Sequence, residues 1–106
     1  VSKFAGAIGG AQIITGLAGG PQLLVFSYGA KHMALVNPDT GAVTWEGDLT
    51  LTNPLVRFSG GSAFIAGAIP VLGQGAWLAT SDGYQFFDAA ATLAAGATSP
   101  PVITTT

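Results

Sequence analysis

The chain has 106 residues, 49% of them apolar and 8% charged, with a formal net charge of −2. That length gives room for one domain with one modest core, and so much apolar content excludes disorder, which goes with low hydrophobicity and high charge. The basic residues Lys3, Lys31 and Arg57 lie far apart, which excludes nucleic-acid binding through clustered cations, and the lack of cysteine excludes disulfides and thiolate chemistry.

Ordinary domains carry about 25% charged residues. A surface this poor in like-charge repulsion favours association, so the expected partner is a second copy of the chain or a larger protein assembly. The sixteen glycines and six prolines predict short elements and many turns.

Residues 1–20 are apolar and glycine-rich. Gly6 and Gly10, like Gly16 and Gly20, share the spacing of small residues in packed membrane helices. A spanning helix needs roughly 20 predominantly apolar residues, and Gln12, Thr15 and the glycines interrupt this one. The better reading is an arm leading into a strand at 12–17, and no membrane partner is expected. No secretory leader is legible, and a chain starting at Val1 is expected to have lost a leader or to be a piece of something larger. Asn37 and Asn53 are each followed by proline, so neither is a glycosylation acceptor.

Residues 22–28 read as a strand buried on both faces, and 32–36 as the next. The turn at 37–41 has a local reason for each residue. The Asn37 side chain accepts from amides just ahead, Pro38 presets φ, Asp39 and Thr40 offer further caps, and Gly41 supplies a left-handed conformation. The return strand at 42–46 places Val43 and Trp45 on one face by simple alternation. A turn at 46–48 then leads into an exposed edge strand at 48–52. Short strands are expected at 55–58, 63–65 and 68–72, with Pro70 marking an edge or bulge. A hairpin joins 76–80 to 84–88 through Asp82-Gly83. One or two helical turns follow at 89–96, then an extended Thr/Pro tail.

Gly19-Gly20 and Gly60-Gly61 are 41 apart, and the turn glycines Gly41 and Gly83 are 42 apart. A period of about 40–45 residues carrying short strands marks a propeller blade. The organisation this predicts is all-β: an arm and first strand over 1–20, blade-like repeats over 21–59 and 60–96, and a tail over 97–106. A small β-sandwich is the alternative.

The motif Asn37-x-x-Thr40-Gly41-x-x-x-Trp45 resembles the blade signature of the quinoprotein-type, or pyrroloquinoline-quinone repeat, β-propellers. The resemblance implies that the tryptophan docks one blade on the next. It covers about 14 residues, and the second copy has Asp82-Gly83 with Phe86 or Phe87 where the tryptophan would stand. The resemblance therefore implies a blade but no cofactor site. Two blades cannot close a ring of the usual four to eight, which again predicts assembly.

No catalytic, cofactor or metal residues are expected. His32 is the single histidine and has no cysteine to join it, short of the three or four ligands a zinc site takes. Asp39, Asp82 and Asp88 are read as turn caps. Trp45, Trp77 and Tyr84 are read chiefly as packing groups, with stacking on a ligand or partner as the second role. The expected function is a non-enzymatic structural or interaction subunit of an extracellular, cell-surface or virion assembly such as a filament, surface layer or capsid. The alternatives are a carbohydrate-binding two-blade module and a fragment of a larger quinoprotein-like propeller.

Overall fold

Alternating apolar runs cut by glycine-containing turns fold here into two antiparallel meanders. The computed structural model describes residues 10–26, 32–49, 65–80 and 83–105. Its elements are β1 (Gly10–Ile14), β2 (Gln22–Phe26), β3 (His32–Val36), β4 (Val43–Asp48), β5 (Ile65–Val71), β6 (Gly75–Thr80), β7 (Gly83–Asp88), α1 (Ala89–Ala95) and β8 (Ile103–Thr105). One sheet has the order β1-β2-β3-β4 and the other β5-β6-β7-β8, every pairing antiparallel. The chain is all-β, as its residues predict.

Strand alternation puts Leu24, Phe26, Met33, Leu35 and Trp45 on one face of the first sheet. It puts Ala76, Leu78 and Phe87 on one face of the second, and these two faces form a single core with Ile14, Leu17, Leu49, Ile65 and Ala89. A smaller cluster of Val25, Ala34 and Val36 lies on the other face of the first sheet, which accounts for the unbroken apolar runs of β2 and β3. The leading strands β1 and β5 pack against each other. Beside them the Gly73 amide donates to Thr15 O at 2.7 Å. Asp88 caps α1, its side chain accepting from the Ala91 amide at 2.9 Å.

Several expectations change. The strand expected at 12–17 runs from Gly10 to Ile14 and pairs with β2, so the first sheet takes its fourth strand from the segment read as an arm. The second sheet takes β8 from the segment read as a tail. The sequence period matches hairpin β3–β4 with β6–β7, yet the first is the last hairpin of its sheet and the second is the middle one of its own. The repeat of glycines is thus a repeat of hairpins, out of step with the sheets. Residues 46–48 continue β4 instead of turning, and Leu49 is fully buried rather than on an exposed edge.

Val43 and Trp45 lie on opposite faces. The register slips between Leu35 and Val36, so that Val36 pairs with Val43 while Leu35 pairs with Trp45, leaving Thr44 as the extra residue. The Thr44 hydroxyl sits 3.0 Å from Leu35 O and 2.7 Å from Gln22 Oε1. Pro70 lies in the edge strand β5, where its missing N–H is tolerated. The strands expected at 55–58 and 63–64, and residues 50–52, lie outside the described residues.

Candidate functional site

The turn at 37–41 is built from local bonds. Asn37 Oδ1 accepts from the amides of Asp39 (2.8 Å) and Thr40 (3.3 Å), and Gly41, at φ +77°, donates to Asn37 O at 2.8 Å. Asp39 itself is exposed and contributes here through its backbone. In the second hairpin Gly83 adopts φ +99° and its carbonyl accepts from the Thr80 hydroxyl at 2.8 Å. Asp82 lies outside the described residues. All these groups serve the backbone at the hairpin ends.

Trp45 cannot be a stacking platform. It is fully buried, its ring centroid is 5.3 Å from that of Phe87 at a tilt of 34°, and its Nε1–H donates to Ser99 O at 2.8 Å. Next to it, the Glu46 amide donates to Ala97 O at 3.3 Å. The residues 96–99 thereby cover the open hydrogen-bonding edge of β4, and Trp45 joins the two sheets. Its side chain lies so close over Gly47 that a Cβ there would stand 2.7 Å from Trp45 Cζ2.

Trp77 and Tyr84 have a different setting. On the outer face of the second sheet the register aligns Ile69 with Trp77 and Phe86, and beside that row Gly67 with Ala79 and Tyr84. Ile69 is 67% exposed, Tyr84 68% and Trp77 36%, and Leu72 in the following turn is 73% exposed. A shallow cleft of about 280 Å³ lies among Gly67, Ala68, Ile69, Trp77, Ala79 and Tyr84. The Trp77 and Phe86 centroids are 5.2 Å apart at 59°, which steadies the indole in an edge-tilted contact. Among the described residues no charged side chain lines this cleft.

The second cluster is one that reading the chain in order misses. His32 opens β3 opposite Asp48 at the end of β4, and Glu46 stands two residues away on the same face. His32 Nδ1 is 2.5 Å from Asp48 Oδ1 and Nε2 is 2.7 Å from Glu46 Oε2. With both ring nitrogens facing carboxylates, the arrangement is that of an imidazolium donating twice. Burial pulls the His32 pKa down, but the hydrogen bonds and charges of Asp48 and Glu46 outweigh it and raise the pKa above its ordinary 6.5. The three side chains line a cleft of about 310 Å³ with Gly47 and Thr98. The signal is present in the residue types, but reading 46–48 as a turn separates the two carboxylates from His32.

With its nitrogens turned to carboxylates, the imidazole offers no lone pair to a metal. Among the described residues no group of three or more His, Cys, Asp or Glu side chains is placed to hold one. Among the same residues no helix is long and apolar enough to cross a membrane. Comparison with protein-family models, with curated proteins and with solved structures finds no match.

Proposed function

We propose that this chain is a non-enzymatic interaction subunit that works in a homo-oligomeric extracellular or virion assembly, with the outer face of the second sheet as a contact surface. The observation that carries this reading is the apolar cleft beside which Ile69, Trp77 and Tyr84 stand exposed together. Aromatic side chains on an apolar patch are the usual anchors of protein interfaces. The scarcity of charge over the whole chain supports the same reading, since little repulsion opposes a second copy. Two four-stranded meanders with their leading strands side by side also support the blade reading, in which a sheet face is covered by the next unit.

Trp77 and Tyr84 flanking one cleft also favour a second reading, carbohydrate stacking. It is the weaker, because sugars need several hydrogen-bonding partners and this cleft offers mainly carbon. Light scattering on the purified chain, alongside a Trp77→Ser/Tyr84→Ser double variant, tests the proposal. A discrete oligomer that the double variant reduces to monomers, with the far-UV circular dichroism of the folded chain retained, is the expected result. A wild-type monomer at micromolar concentration refutes it, and titration with sugars is then the assay for the second reading.

A further inference from the structure

His32, Glu46 and Asp48, at the far end of the first hairpin, lie on the outer face of the first sheet, beside the segment that follows α1. Trp45 and Glu46, consecutive in β4, donate to the carbonyls of Ser99 and Ala97 in the segment after α1. Thr98, between those carbonyls in sequence, lines the same cleft as His32, Glu46 and Asp48. β4 is an edge strand, held by β3 on one side and by residues 96–99 on the other. Whatever holds β4 against β3 near residues 46–48 therefore holds the docking edge for the second sheet.

We infer that His32 is a proton-operated clamp: charged, it draws Glu46 and Asp48 together and fixes the β4 edge on which residues 96–99 dock; neutral, it lets that edge go and loosens the junction between the sheets. The titratable groups facing His32 among the described residues are Glu46 and Asp48, both on β4, and the segment after α1 contributes the neutral Thr98. The imidazolium thus sets one positive charge against two negative ones. Once neutral, the ring keeps a single N–H and can donate to one carboxylate only. The other nitrogen then turns a lone pair toward an oxygen at 2.5 to 2.7 Å, and two carboxylates on one strand face repel each other. The relief falls on β4, because β3 is locked between β2 and β4 in the sheet. The clamp does not depend on what covers the outer face of the second sheet.

Hydrogen exchange by NMR on the full chain reads this directly. The probes are the Trp45 indole N–H, identified by its loss in Trp45→Phe, and the Glu46 amide. Their protection factors, corrected for intrinsic base catalysis, are compared on either side of the His32 midpoint followed through its own ring protons. The expected result is a drop of about tenfold in both as His32 loses its proton, as for the loss of one charge-assisted bond. His32→Gln is expected to show the lower protection at every pH. Glu46→Gln and Asp48→Asn are expected to move the His32 midpoint down and the drop with it. Protection factors equal within twofold on both sides of the midpoint overturn the inference. So does a drop that survives in His32→Gln or stays in place when the carboxylate variants move the midpoint.

Discussion

The contact between Trp45 and Gly47 allows a double-mutant cycle with a worked expectation. Replacing Gly47 by alanine sets a methyl 2.7 Å from Trp45 Cζ2, and the indole cannot swing aside without leaving Ser99 O and Phe87. Overpacking of this kind costs about 1–3 kcal/mol. Trp45→Phe removes the indole donor, worth about 1 kcal/mol, and empties part of the core for about 1–2 kcal/mol more. A phenyl ring has no atoms at Cζ2 or Cη2, so the methyl added at position 47 meets open space in the double variant. Its loss should equal that of Trp45→Phe alone, about 2–3 kcal/mol, giving a favourable coupling of at least about 1 kcal/mol. Urea unfolding followed by far-UV circular dichroism measures all four corners. Additivity within about 0.5 kcal/mol shows that the ring does not lie over Gly47 and refutes the reasoning.

Two further outcomes follow from local chemistry. Asp88→Ala removes the acceptor for the Ala91 amide and should destabilise the chain by about 1 kcal/mol, while Asp88→Asn retains most of the cap, again read by urea unfolding. The raised His32 pKa fixes a pH dependence: the folded chain holds a proton that the unfolded chain releases near 6.5. The stabilisation is therefore complete below 6.5 and is lost as pH rises through the folded pKa. The urea midpoint should fall across that window and then level, and His32→Gln should abolish the step.

How much of this can be read from residues alone depends on the range of the forces involved. The Asn37 to Gly41 turn is legible because each residue bonds within a few positions of itself, and the β3–β4 pairing follows from it. The bulge at Thr44 is not, since it answers to Leu35 and Gln22 on other strands. β8 escapes for the same reason: a tail of threonines and prolines carries no signal for pairing with β7. Trp45 stands out in the sequence as a residue of consequence, but its burial depends on Phe87 and Ser99, more than forty positions away in the chain. The His32 cluster needs only the strand to run two residues further. Glycine at 47, a common turn residue, argues against that, although its lack of a side chain is what admits the indole.

Because each sheet is a meander of sequential neighbours, every strand pairing within it closes a short stretch of chain, apart from the wider gap between β7 and β8 that α1 partly fills. The far-reaching contacts are those between the sheets: the shared core, β1 along β5, Thr15 with Gly73, and Trp45 and Glu46 with the segment after α1. The entropy of joining remote parts of the chain thus falls on the contacts between the sheets, and little of it on the pairings within each. Substitutions at the contacts between the sheets are therefore expected to act on the joining of the two meanders more than on the local hairpins.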